Sequence, residues 1–290
     1  MVNLENDFLK VTIRLKGAEL TSLYNKVTGT EHLWQADPSV WGWHSPNLFP
    51  VVGGCISQKI VVENVSYKME RHGFARNSMF SLVEMTDTYA KFELNHSELT
   101  HVHYPYKFTF QVLYELLDNE VKISYKVINL DNRNIYFSVG AHPAFQIPFD
   151  KNDSLKDYYI EFEKVENLET HLLSVNGLFT GFTRTIASNT NLLALNKELF
   201  TNDALVFKNL VSRKVSLKSR NHSKSVYLKF PDFSYFGIWG KDEVPFVCLE
   251  PWLGCADTEG KQVELKEKEA IRSLEVGDIF EADYTIGISN

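Results

Sequence analysis

Residues 106–116 (YKFTFQVLYEL), then Leu117-Asp118-Asn119-Glu120, then residues 121–127 (VKISYKV) decide the fold class of this chain. The two flanking runs are rich in aromatic and β-branched residues, and the second alternates apolar with polar at every step. That period of two is the mark of a half-buried strand. Asp and Asn tolerate tight-turn geometry, so the four residues between the runs read as a hairpin turn. Residues 107–115 and 121–128 are therefore expected to pair antiparallel, and a second turn is expected at Asn129-Leu130-Asp131-Asn132.

The same alternation recurs at residues 8–14 (FLKVTIR), 214–218 (KVSLK) and 225–229 (SVYLK). Helical signals are few; residues 197–200, before Thr201-Asn202-Asp203, suit one short turn. Without alternating strands and amphipathic helices, a parallel α/β sheet is excluded. No internal repeat, low-complexity tract or Pro/Ser-rich linker divides the chain. The expectation is one all-β domain over residues 1–290, a large, mostly antiparallel β-sandwich. Residues 150–157 (DKNDSLKD) read as a surface loop, and residues 261–269 (KQVELKEKE), with both charge signs, as a solvated segment.

Composition narrows the function classes. The chain has 30 Lys and Arg against 37 Asp and Glu, a formal net charge of −7. No basic excess offsets phosphates, so nucleic acid is not an expected partner. No apolar run approaches the ~18–20 residues of a spanning helix, so no membrane partner is expected either. The first residues, MVNLENDFLKVTIRLKG, lack the basic start and apolar run of a secretory leader. Three cysteines, Cys55, Cys248 and Cys255, suit a reducing cytoplasm better than a disulfide framework. Cytoplasmic localisation follows as an expectation. The oligomeric state is left open.

Three short segments carry titratable side chains at the ends of strand-like runs. His142 follows the apolar run 136–140 and precedes Pro143, which ends regular pairing. A histidine there can donate a proton into a loop-lined site; the competing reading is a core histidine bonded to a backbone carbonyl. Glu250 follows the apolar run 245–249. A carboxylate is costly to bury without partners, so Glu250 either works as an acid–base group or sits in a structural salt bridge. In residues 72–76 (HGFAR), His72 and Arg76 can both reach a ligand from a turn at Gly73, or else serve as a turn cap and a surface ion pair. Asp203 precedes the apolar run 204–207 and can accept hydrogen bonds from sugar hydroxyls, or be a plain turn residue. His101 and His103 would share one face of a strand, the geometry of a metal pair, but without ligand-spaced partners an exposed polar strand is the better reading. Neither a G-x-S-x-G elbow nor a Gly-rich phosphate loop occurs.

These segments, with residues 47–53 (NLFPVVG), 140–145 (GAHPAF), 203–207 (DALVF), 237–239 (GIW) and 250–252 (EPW), resemble the aldose 1-epimerase (galactose mutarotase) superfamily over nearly the whole chain. They most resemble its branch encoded with bacterial lactose genes. The resemblance implies a galactose mutarotase-like β-sandwich with a sugar in a cleft on one sheet, and no metal or organic cofactor. It implies Glu250 as catalytic base, His142 as catalytic acid, His72 as a second site histidine and Asp203 as the carboxylate holding sugar hydroxyls. By position it implies Trp239 and Phe145 as pocket aromatics. One departure stands out: the family's arginine after the Gly of the Phe-Pro-x-Val-Gly segment is Gly54 here. The expected activity is cofactor-independent interconversion of the α and β anomers of a hexose such as galactose or glucose. The alternatives are a hexose 6-phosphate substrate held by Arg76 and a non-catalytic sugar-binding protein.

Overall fold

The computed structural model of the protein describes residues 1–241, 246–260 and 262–289. The expected hairpin is formed by the strands Phe108–Leu117 and Glu120–Asn129, paired antiparallel from Phe108 opposite Asn129 to Leu117 opposite Glu120. Asp118 takes a left-handed φ of 52°, a conformation Asp accepts at modest cost. Val121, Ile123, Tyr125 and Val127 face inward while their neighbours stay partly exposed, as the alternation requires.

This hairpin lies inside a nine-stranded antiparallel sheet among the described residues. From one edge to the other its strands are Phe179–Ala194, Tyr158–Leu173, Lys214–Ser219, Ser225–Lys229, Ile279–Ser289, Glu120–Asn129, Phe108–Leu117, Tyr89–Asn95 and Ser81–Met85. A second sheet runs in the order Leu205–Phe207, Tyr235–Trp239, Phe246–Leu253, Val139–Ala141 and Asn47–Leu48, with Ala144–Gln146 also paired to Phe246–Leu253. A four-stranded N-terminal sheet spans Val2–Glu5, Leu9–Arg14, Glu19–Asn25 and Thr30–Glu31. One apolar cluster joins all three: Val112, Ile123 and Val127 from the large sheet, Val139, Val247 and Leu249 from the second, Val11 and Leu23 from the third. Two sheet faces closed over a shared core make a β-sandwich.

Polar pins fix the layers. Tyr125 Oη donates to Asn47 Oδ1 (2.8 Å), and Asn47 Nδ2 donates to the carbonyls of Gly17 (2.9 Å) and Ala18 (3.0 Å). Asn47 is fully buried yet satisfied, so the NLFPVVG segment is held between sheets without a desolvation penalty.

Three expectations need correction. The run 136–140 is two strands in different sheets: Ile135–Phe137 pairs with Arg272–Leu274, whereas Val139–Ala141 belongs to the second sheet. His101 closes a helical turn, Glu98–His101, whose capping box joins Ser97 and Thr100, and His103 Nδ1 lies 3.0 Å from the Lys68 carbonyl. Ser97 and Thr100 satisfy the turn's free N–H groups, which outweighs the strand-like H-x-H pattern. The segment 261–269, of which Lys261 lies outside the described residues, is not all solvated: Leu265 and Lys268 are buried, and Lys268 Nζ pairs with Asp257. The expected surface loop at 150–157 is present, with Lys151, Asn152, Ser154 and Lys156 exposed and the Asp153 side chain turned to accept from Ser219 Oγ at 2.6 Å. The short turn at Lys197–Phe200 is present.

Candidate active site

The strand Phe246–Leu253 is buried on both faces. Val247, Leu249 and Leu253 point into the sandwich core; Cys248, Glu250 and Trp252 alternate to the opposite face. That face lines a cavity of about 270 Å³, near the lower end of the ~300–1,000 Å³ typical of small-molecule sites.

The same ladder supplies the partner of Glu250. Gly140 pairs with Trp252, and Ala144 with Cys248, so residue 142 falls opposite residue 250. Pro143 cannot donate to the ladder, and its carbonyl instead accepts from Leu249 N (3.1 Å). His142 thus stands at a break in the pairing, with Nε2 3.2 Å from Glu250 Oε2. Glu250 is 1% exposed. Trp252 completes the floor, lying against two glycines: a Cβ at Gly140 would come within 2.7 Å of its ring, one at Gly237 within 2.8 Å.

His72 enters from a separate turn. Its φ is 68°, and the amides of Phe74 and Ala75 both donate to the Phe49 carbonyl, stapling HGFAR to the NLFPVVG segment. Gly53 N donates to His72 Nδ1 (3.2 Å), which fixes the tautomer and leaves Nε2 to carry the hydrogen. The His72 and His142 rings meet edge to face, centroids 5.6 Å apart.

Burial dominates the electrostatics. It pushes the Glu250 carboxyl well above the usual carboxylate range, and the Asp203 charge adds to this. Burial pushes His142 down to about 3, assisted by the Arg76 and Arg71 charges. His72 is pushed well below its ordinary value for the same reasons. Glu250 Oε2 faces His142 Nε2 at 3.2 Å, and His142 Nδ1 is buried without a hydrogen-bond partner among the described residues. An orphaned polar atom beside a cavity is what a polyhydroxylated ligand can satisfy.

Asp203 lines the cavity from a turn at φ 74°, and Trp239, opposite Cys248 in the ladder, lines its edge. Arg76 also lines it: Nη2 donates to the Arg71 carbonyl (2.8 Å), Cζ lies 5.3 Å from the Trp43 ring centroid, and Nε is buried without a partner among the described residues. Phe145 is misplaced by the sequence reading. It pairs with Val247, whose side faces the core, and is itself fully buried in the main apolar cluster. Its place as a wall aromatic is taken by Trp41, which stacks on His142 with centroids 5.0 Å apart and packs on Trp239 at 5.5 Å.

Sequence reasoning missed Trp41 and Arg71, both cavity-lining. Trp41-Gly42-Trp43 is an aromatic pair outside any alternating run, which was the available signal. Arg71 is next to His72 and was hidden by its neighbour.

His142, Cys248 and Glu250 offer donor atoms within 4.8 Å of one another, close enough for a metal ion. Burial pushes the Cys248 thiol well above its ordinary range, so binding an ion here would have to release the thiol proton.

The sequence model described as aldose 1-epimerase matches residues 1–273. The chain belongs to the aldose 1-epimerase family. Among curated relatives, Protein LacX (chromosomal) of Lactococcus lactis subsp. lactis is 31% identical over 303 residues, covering 100% of this chain and 99% of LacX. A galactose mutarotase related enzyme from Lactobacillus acidophilus superposes with a TM-score of 0.94 at 31% identity, over 100% of this chain and 97% of that one. A galactose mutarotase-like protein from Lactobacillus casei ATCC 334 gives 0.94 at 28% identity, with 100% of both chains covered. Membership of the aldose 1-epimerase family supports an isomerase acting on a small sugar. No helix among the described residues is long and apolar enough to cross a membrane.

Proposed function

We propose that the protein interconverts the α and β anomers of a free hexose such as galactose or glucose by acid–base ring opening. The observation that carries this reading is the buried His142–Glu250 pair, 3.2 Å apart on the floor of an aromatic-walled cavity. Ring opening needs one proton donor and one acceptor. Burial raises the Glu250 carboxyl and lowers His142, which favours a neutral carboxyl beside a neutral imidazole. Moving the carboxyl proton to His142 gives a carboxylate and an imidazolium without changing net charge, and hydrogen bonds from sugar hydroxyls favour the charged form.

Glu250 then takes the proton of the anomeric hydroxyl while His142 protonates the ring oxygen. The C1–O5 bond breaks and the open aldehyde rotates about C1–C2. Closure on the other face returns both protons. His72 donates from Nε2 to a hydroxyl, and Asp203 accepts from another. Every proton is carried by the chain's own side chains, so the cycle requires no metal or organic cofactor. Positioned acid–base groups of this kind contribute about 10²–10⁴-fold. The setting we infer is the cytoplasm, after sugar uptake.

The second reading is a 6-phosphate substrate on Arg76, which lines the cavity, donates one N–H to the Arg71 carbonyl and keeps a buried Nε without a partner among the described residues. The test is polarimetry of freshly dissolved α-galactose, α-glucose and glucose 6-phosphate, with wild type and Glu250→Gln. Faster relaxation of the free sugars with wild type alone is expected. Acceleration of the phosphorylated sugar alone overturns the substrate, and saturable sugar binding without acceleration overturns the catalytic reading.

A further inference from the structure

The tip of the long hairpin joining Tyr158–Leu173 to Phe179–Ala194 closes one wall of the cavity. It also forbids a side chain at position 54: a Cβ there would lie 2.9 Å from the Gly177 carbonyl oxygen and 3.2 Å from Leu178 Cδ2. The tip is tied down. Phe179 N donates to the Asp257 carbonyl (2.8 Å), Glu259 N to the Phe179 carbonyl (2.8 Å), and Asp257 N to the Gly54 carbonyl (2.9 Å). Asp257 is held in turn by Lys268 and by Ile56 N.

Arg71 occupies the space this leaves. Gly177 has φ +69°, and a Cβ built on it would fall 1.5 Å from Arg71 Nη2 and 2.2 Å from Cζ, so the guanidinium lies on bare backbone. Its Nη1 is 3.7 Å from Asp203 Oδ2, and the two side chains are 42% and 33% exposed. At that distance the charges attract without a hydrogen bond, so the facing N–H and oxygen stay available. A pair this exposed adds little to folding stability.

We infer that Arg71 and Asp203 form a donor–acceptor clamp for two neighbouring hydroxyls of the sugar ring, and that Gly177 is the residue that admits the guanidinium. The inference rests on the mutarotase reading and deepens it. A vicinal diol offers donors and acceptors side by side. A guanidinium supplies two fixed donors and a carboxylate two acceptors. Arg71 also adjoins His72, whose amide donates to the Gly53 carbonyl (3.0 Å), so the clamp and the catalytic floor share one turn.

The experiment measures KM and kcat for anomer exchange on galactose and glucose, and sugar Kd by quenching of the cavity tryptophans, in wild type, Arg71→Met, Arg71→Lys and Gly177→Ala. Arg71→Met is expected to raise KM and Kd about ten- to hundredfold, the range for losing hydrogen bonds to a charged group, with a smaller change in kcat because the Arg71 charge also acts on His142. Arg71→Lys recovers part of the loss. Gly177→Ala raises KM in the same direction, and the double variant with Arg71→Met shows no further rise, because both act on one guanidinium. Wild-type KM in Arg71→Met, or a loss confined to kcat, overturns the clamp. If wild type accelerates no sugar, the mutarotase reading fails, but the Kd series still decides the clamp. If wild type binds no free hexose, both fall.

Discussion

Replacing Glu250 by Gln separates a working carboxyl from a structural one. The substitution keeps the shape of a fully buried side chain and removes only its ability to exchange a proton. If Glu250 is the base, anomer exchange falls by about 10²–10⁴-fold while sugar binding persists. Stability should move the other way. Burial raises the folded-state pKa of Glu250 above its ordinary 4.5. Below that value the folded and unfolded chains both hold the proton, and Glu250 costs nothing. As pH rises above it, the unfolded chain ionises while the folded chain does not, so the folded state loses up to about 1.4 kcal/mol per pH unit until the raised pKa is reached. Glu250→Gln removes that penalty. The variant should melt with wild type in acid and above it at neutral and mildly alkaline pH, a gain of stability bought with activity. Polarimetry and thermal melts over the same pH series read both effects. If His142–Glu250 is instead a structural ion pair, breaking it costs about 3–5 kcal/mol and the variant melts below wild type at neutral pH. That outcome, or wild-type turnover in the variant, would refute the reasoning.

Other perturbations bear on the framework. Phe145→Ala, in the sandwich core, should cost about 3–5 kcal/mol in denaturant unfolding yet leave the KM of the folded protein unchanged. Burial holds His32 at about 4, below its ordinary 6.5, and neither ring nitrogen has a partner among the described residues. Above 6.5 both states are neutral; as pH falls toward 4 the unfolded chain takes the proton first, so stability is lost across that window. His32→Phe should flatten the acid limb of Tm against pH without changing kcat. Lys268→Met leaves the buried Asp257 carboxylate unpaired and should cost about 3–5 kcal/mol, readable as a drop in Tm that Asp257→Asn partly relieves.

The hairpin at 106–127 was readable because alternation is a local property: each inward residue reports its own face. The burial of Glu250 and the strand break at His142 were readable for a related reason. Glu250 sits in an apolar run that buries it, and His142 stands before a proline that breaks the strand. Phe145 shows where this logic stops. Strand Phe246–Leu253 is buried on both sides, so sequence reveals two apolar faces without saying which one borders the cavity. The strand expected at His101 and His103 failed because Ser97 and Thr100 cap a helical turn there. Lys268 looks like its charged neighbours, and only Asp257, eleven residues earlier, marks it as buried.

Arg71, Asp203 and Gly177 illustrate a deeper division. His142 and Glu250 belong to one antiparallel ladder, where register alone sets them face to face. The clamp residues come from three separate connections: the turn before HGFAR, the turn after Lys197–Phe200 and the tip of the 158–194 hairpin. Their approach is decided by loop packing across more than a hundred residues of sequence, which no local pattern encodes. Chemistry placed by the sheet and recognition placed by the loops should respond differently to change. Substitutions at Gly177 or Arg71 alter which sugar is held and how tightly, because the rigid ladder beneath them is not disturbed. On the proposed mechanism, substitutions at Glu250 or His142 are expected to remove turnover whichever sugar is bound. A KM effect at the tip with kcat intact, beside a kcat effect on the ladder with Kd intact, is the pattern this division requires.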